Sequence, residues 1–207
     1  PNVTLTEIPG LTDLENIVIN IDNLDDITNF TILYKLNKEG ESNANLDWQE
    51  YGEYLPQSLP LEIPVLNQYE YQFKILAYDT VGNKGEDIAY TLIDRDKPTK
   101  IRNLQIAQGK TVVNSTTDVL ISFMSSQSQD LIEYRIYRSE SVNETGELIS
   151  SIAYGEQYLS YKDSNVLMNK IYYYSIVAVD RMNFESEPEK AFLDLTVEEK
   201  IVVKESN

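Results

Sequence analysis

Hydrophobic and polar residues alternate with a period of two along much of the chain. The clearest runs are 17–21, 30–34 and 71–77, and turn-forming residues follow them at 22–23, 38–40 and 81–83. This alternation places every second side chain in a core and predicts β-strands. No apolar stripe with a 3.6-residue period is long enough to predict a helix. Short strands with frequent turns predict an all-β sandwich fold.

The chain contains an internal repeat with a period of 101 residues. This period matches one sandwich domain, so it predicts a first domain at 1–96 and a second at 97–197. Residues 198–207 are interpreted as a tail or as the start of a further module, because 200–204 resemble one more strand. The recurring positions are Leu66, Tyr71, Phe73, Ile75, Ala77 and Asp79, which return as Leu167, Tyr172, Tyr174, Ile176, Ala178 and Asp180.

Two segments of the second domain resemble strands C and F of fibronectin type III domains. They are DLIEYRIYRSE at 130–140 and YYYSIVAVDRMNFESEPE at 172–189. The first domain has the similar YEYQFKILAYDTVGNKGE, and its middle stretch resembles bacterial immunoglobulin-like modules. The resemblance implies two tandem immunoglobulin-like (fibronectin type III) β-sandwiches. It also implies that Tyr71 and Tyr172 occupy the structural tyrosine-corner position of the family.

A short linker joins the two predicted domains. About five residues, including Pro98, separate the last strand of the first domain from the first strand of the second. Because so short a linker restricts swing, we expect the two sandwiches to be arranged end to end as an elongated rod.

Composition narrows the chemistry that is open to the chain. Cysteine and histidine are both absent, so disulfides, thiol chemistry and the usual general base near neutral pH are missing. The net charge of −17 argues against a nucleic-acid partner, which needs a basic face. No stretch is apolar enough for direct membrane insertion. We therefore expect a protein that is not an enzyme, although paired carboxylates stay formally open.

An aromatic group in the first domain is a candidate ligand-binding site. Trp48, Tyr51 and Tyr54 lie in a polar stretch with Asp47, Glu50 and Glu53 among them. Rings beside carboxylates suit stacking and hydrogen bonding to a sugar. The alternative interpretation is that these rings cover the edge of the sandwich.

Two groups of aspartates are candidate ligands for calcium, and no other cofactor is predicted. Asp22, Asp25 and Asp26 crowd one turn, and Asp94 and Asp96 lie at the linker. Calcium takes six to eight oxygen ligands, so carboxylate clusters suit it. Solvated loop acids are the alternative interpretation, and Asp79 and Asp180 are better explained as turn caps.

Three functions remain open from the sequence and its resemblance. The first is a structural or adhesive module of a microbial extracellular or cell-surface protein. Such a module acts as a spacer and binds a protein or carbohydrate partner, or self-assembles into a filament or layer. The second is a virion component, such as a phage tail or fibre protein. The third is an accessory domain of a secreted polysaccharide-degrading enzyme.

Overall fold

The computed structural model of the protein describes residues 1–41, 46–113 and 115–196, with the backbone alone at 111–113. The described residues divide into two compact units, with the boundary between Asp96 and Lys97. The sequence places the domain boundary at the same residues. The predicted tail at 198–207 lies outside the described residues.

The first unit is a sandwich of a five-stranded sheet and a two-stranded sheet. Its strands are β1 (Leu11–Thr12), β2 (Asn16–Ile19), β3 (Ile27–Lys38), β4 (Gln49–Tyr54), β5 (Leu61–Pro64), β6 (Tyr69–Asp79) and β7 (Lys84–Ile93). The larger sheet has the order β1-β7-β6-β3-β4, and β2 pairs with β5 in the smaller one. All pairs are antiparallel except β1 and β7, which run parallel with Leu11 opposite Leu92.

The core of the first unit forms where apolar residues alternate along its central strands. On β6 every second residue from Tyr71 to Ala77 is buried, and the residues between them are half-exposed. The opposite wall comes from the small sheet, chiefly Ile17 and Ile19 of β2. Branched and aromatic side chains suit such a pleated, half-buried surface, which is why these segments form strands.

The second unit is a sandwich of a four-stranded and a three-stranded sheet. Its strands are β8 (Arg102–Val113), β9 (Thr116–Met124), β10 (Leu131–Ser139), β11 (Glu147–Ala153), β12 (Tyr158–Leu167), β13 (Ile171–Asp180) and β14 (Glu189–Asp194). The sheet orders are β11-β10-β13-β14 and β12-β9-β8, with every pair antiparallel. Tyr134, Ile136, Tyr174 and Ile176 are fully buried between the sheets.

The two units repeat the same central strand pair. In the first unit β3 pairs with β6 so that Ile27 lies opposite Asp79, and in the second Leu131 of β10 lies opposite Asp180 of β13. The predicted all-β fold with two sandwiches is confirmed. The predicted linker length was wrong, because eight residues separate Ile93 at the end of β7 from the start of β8. Among the described residues, none forms a helix with the length and apolar character of a membrane span.

Candidate functional site

The first residue of the predicted aromatic site, Trp48, packs beneath two lysines of the first unit. Lys35 Nζ lies 4.9 Å and Lys74 Nζ 4.8 Å from the centroid of the half-buried indole. Both lysines alternate with core residues along their strands, so Trp48 lies on the outer face of the large sheet. These cation–π contacts place cations over the ring, where a sugar would otherwise stack.

The other two aromatic residues of that prediction contact residues on the core side of the sheet. Tyr54 stacks on the buried Phe30 with ring centroids 5.8 Å apart, and Tyr51 meets Tyr34 edge-on at 6.3 Å. A β-bulge at Tyr51 shifts the register between β3 and β4, so Trp48 and Tyr54, which an unbroken alternation would place on one face, lie on opposite faces. The structure therefore does not bring the three rings together on one surface.

The two predicted tyrosine-corner residues are both buried but have different neighbours. The hydroxyl of Tyr71 accepts a 2.8 Å hydrogen bond from the Leu66 N–H, and its ring stacks on Phe73. Burial raises the pKa of Tyr71, so this hydroxyl keeps its proton at neutral pH. The ring of Tyr172 lies under the guanidinium of Arg138, 5.6 Å from the ring centroid.

The aspartates predicted to bind calcium near β2 make separate contacts. Asp22 Oδ1 accepts a 2.7 Å hydrogen bond from the Thr6 hydroxyl. The backbone N–H of Asp25 donates to the Asn23 side chain, and Asp26 adopts a left-handed conformation with φ of 66°. In the part of the chain that the structure describes, these residues do not bring three carboxylates within 4.8 Å of one another.

The predicted calcium ligands after β7 take part in hydrogen bonds within the first unit. Asp94 is buried, and its N–H donates to the Thr12 carbonyl at 3.0 Å. Its Oδ1 accepts from the Asp96 N–H at 3.3 Å, and Asp96 Oδ2 accepts from the Gln68 amide at 2.6 Å. Calcium binding by these residues stays a prediction.

Asp79 and Asp180 cap the turns that follow β6 and β13, as the sequence predicts. Asp79 Oδ1 accepts hydrogen bonds from the N–H groups of Val81 and Asn83, and Asp180 Oδ1 accepts one of 2.9 Å from Phe184. The Asn83 side chain and these amides lower the pKa of the Asp79 carboxyl. In contrast, burial raises the pKa of Asp180, and the negative charge of Asp130 adds to that effect.

A buried polar cluster in the second unit was missed by sequence reasoning. Arg138 Nη1 donates to both carboxylate oxygens of Asp163 at 2.8 and 3.1 Å, and the Tyr174 hydroxyl donates to Asp163 Oδ2 at 2.9 Å. Asp163 belongs to β12 and its partners to β10 and β13, so the cluster joins the two sheets. The sequence did contain one sign of this cluster, since Tyr174 occupies the repeat position of Phe73. A tyrosine in place of a core phenylalanine adds a buried hydroxyl, and a buried hydroxyl needs a hydrogen-bond partner.

A second polar cluster lies on the outer face of β10. Arg135 donates to Glu133 at 2.7 Å, to Glu185 at 2.8 Å and to Asn183 at 2.6 Å. The hydroxyl of Tyr137 also donates to Glu185, at 2.9 Å. These contacts tie the turn after β13 to the neighbouring strand. In both clusters, donors and acceptors that are capable of chemistry are engaged in structural contacts.

Comparison with known proteins relates the fold to solved structures. No family model matches the chain, and no curated protein matches it. The chain is similar to the chicken CNTN1 FN1-FN3 domains, with 17% identity over 93% of this chain and 67% of that chain, at a TM-score of 0.46. It is also similar to the Clostridium thermocellum CbhA fibronectin(III)-like modules, with 16% identity over 94% of each chain, at a TM-score of 0.50. The similarity to the CbhA modules shows that this chain has a fibronectin type III-like fold.

Proposed function

We propose that this chain, which has a fibronectin type III-like fold, is a non-catalytic structural spacer of a microbial extracellular or cell-surface protein. The observation that carries this proposal is the engagement of its polar side chains within each sandwich. Arg138, Asp163 and Tyr174 join two sheets, and Asp79 and Asp180 cap turns. Groups committed to such contacts stabilise a scaffold and are poorly placed to act on a substrate.

Repetition of the sandwich supports a spacer. Two units with the same central strand pairing repeat one scaffold without adding a new kind of site. The position of Trp48 beneath Lys35 and Lys74 also favours a structural role over sugar binding. An acidic surface, with a net charge of −17, keeps such a module soluble and discourages nonspecific association.

An exchange experiment in the parent protein tests the proposal. Residues 1–196 are replaced by an unrelated pair of fibronectin type III modules of matched length, and a deletion variant serves as the control. A spacer predicts that the exchange retains the activity of the parent while the deletion impairs it. If the exchange fails as badly as the deletion, although the parent is still produced and folded, the chain carries a specific binding surface instead.

A further inference from the structure

The carboxylate of Asp180 is buried at the end of β13, and one of its oxygens lacks a partner. The residue is 0% exposed, and Oδ1 accepts the turn-capping hydrogen bond from Phe184. Oδ2 is buried without any hydrogen-bond partner. A buried carboxylate oxygen without a donor is costly, because it has lost its water and gained nothing in return.

The equivalent carboxylate in the first unit shows what is missing. Asp79 Oδ2 accepts a 2.7 Å hydrogen bond from the side-chain amide of Asn83. The residue at the repeat position of Asn83 is Phe184, whose ring offers no donor. The second unit therefore has the aspartate and its turn, but it has no side-chain amide to donate to the second carboxylate oxygen.

A second carboxylate lies close to the carboxylate of Asp180. Asp130 immediately precedes β10, and a carboxylate oxygen of Asp130 lies within 4.8 Å of one of Asp180. The backbone fixes this proximity, because the Arg181 N–H donates to the Asp130 carbonyl at 3.1 Å. Two neighbouring negative charges repel each other, and the buried one has lost its solvation, so a positive charge or a proton between them is stabilising.

We propose that Asp130 and Asp180 are ligands of a divalent cation of the calcium class in the second unit. A cation provides the positive charge that offsets the two carboxylates, and it can bind Asp180 Oδ2, which is buried without a hydrogen-bond partner. In the first unit the Asn83 amide donates to the equivalent oxygen of Asp79 instead. Calcium fits better than magnesium because it accepts irregular carboxylate arrangements and completes its shell with water. A site with two carboxylates belongs to the weak, extracellular affinity range of about 10⁻⁴ to 10⁻³ M.

Calcium titration of the chelator-treated full chain tests this site. Binding is measured by calorimetry, and unfolding is followed by circular dichroism and by fluorescence of Trp48, the only tryptophan, which reports the first unit. At about 10 mM calcium the melting transition of the second unit should rise by about 4 °C or more. Asp180→Asn and Asp130→Asn should each abolish the rise, whereas Asp79→Asn at the equivalent position in the first unit should preserve it.

Three results would overturn the proposal. One is the absence of calcium binding by the wild-type chain at 10 mM, and another is a calcium response that persists in the Asp130→Asn, Asp180→Asn double variant. The third is an Asp180→Asn variant that is more stable than the wild type, together with a wild-type melting transition that calcium does not change. That result would mean that a proton neutralises the Asp130–Asp180 pair. If Asp180→Asn fails to fold, terbium luminescence excited through tyrosine is compared between the wild type and Asp130→Asn. Asp130 is only partly buried, so this variant is expected to fold. A terbium signal as strong as that of the wild type would overturn the proposal.

Discussion

The hydroxyl of Tyr71 accepts a hydrogen bond from the backbone N–H of Leu66, five residues earlier in the chain, at 2.8 Å. The contact ties the loop before β6 to the strand itself, on the core side of the sandwich. Removal of the hydroxyl takes away the acceptor of this N–H, so the pair is a direct test of how the first unit is stabilised.

We expect Tyr71→Phe to lower the free energy of unfolding of the first unit by about 1–2 kcal/mol, because the Leu66 N–H loses its acceptor. Urea unfolding followed by Trp48 fluorescence measures the change. Tyr90→Phe is the matched control, since Tyr90 is 59% exposed and should change the stability by less than about 0.5 kcal/mol. Equal stability of Tyr71→Phe and the wild type would remove the hydrogen bond as a stabilising contact.

Replacement of Asp163 by alanine should destabilise the second unit by about 3 kcal/mol. The change leaves the Arg138 guanidinium and the Tyr174 hydroxyl without their shared acceptor between the sheets. Urea unfolding followed by circular dichroism measures the loss. Lys170→Ala, which removes a solvent-exposed ion pair with Glu140, should leave the stability close to that of the wild type. A loss for Asp163→Ala as small as that of the control would contradict the role of the cluster.

Gly146→Ala should destabilise the second unit by about 2 kcal/mol or more. Gly146 has a φ of +89°, and an added Cβ would lie 2.2 Å from the Arg138 carbonyl oxygen, which belongs to the backbone. Gly155→Ala is the control, because no heavy atom lies within 4 Å of its Cβ position. Thermal melts of the two variants should differ clearly, and equal melting temperatures would mean that the turn at Gly146 relaxes without cost.

The Asp79 turn should make the stability of the first unit depend on pH in the acidic range. Hydrogen bonds from Asn83 and from backbone amides lower the pKa of Asp79 below its ordinary value of 3.8. A lowered pKa means that the stabilisation is present above the ordinary value and is lost as the pH falls below it. We expect Asp79→Asn to weaken this acid dependence, and Asn83→Ala to weaken it partly. Trp48 fluorescence in urea at about pH 5, 4 and 3 measures it, and parallel curves for all three proteins would refute the prediction.

The architecture could be predicted because it depends on patterns that are local and repeated. The alternation around Phe73 and Ile75 marks the core face of β6, and the repeat at 101 residues carries the same assignment to Tyr174 and Ile176. Periodicity of this kind determines which face of a strand is buried, and turn residues determine where the strand ends.

The side-chain contacts could not be predicted because they depend on tertiary details. A single bulge between β3 and β4 places Trp48 and Tyr54 on opposite faces of the sheet, although their even spacing in the sequence predicts one face. Asp163 meets Arg138 and Tyr174 only because strands of opposite sheets bring them together. Asp79 and Asp180 look alike in the sequence, and their difference depends on one neighbouring residue in the turn and on the position of Asp130.

The parallel pairing of β1 with β7 has a consequence for a module that bears a pulling force. The first strand of the unit is bonded to its last strand, through Leu92 N–H to Gly10 and Asp94 N–H to Thr12, each at 3.0 Å. When the two ends of the first unit are drawn apart, parallel strands slide along each other, so these bonds are strained together and do not open one after another. We therefore expect the first unit to resist extension through this pair, and a proline at position 92 or 94, which removes one N–H, to lower the force at which it yields.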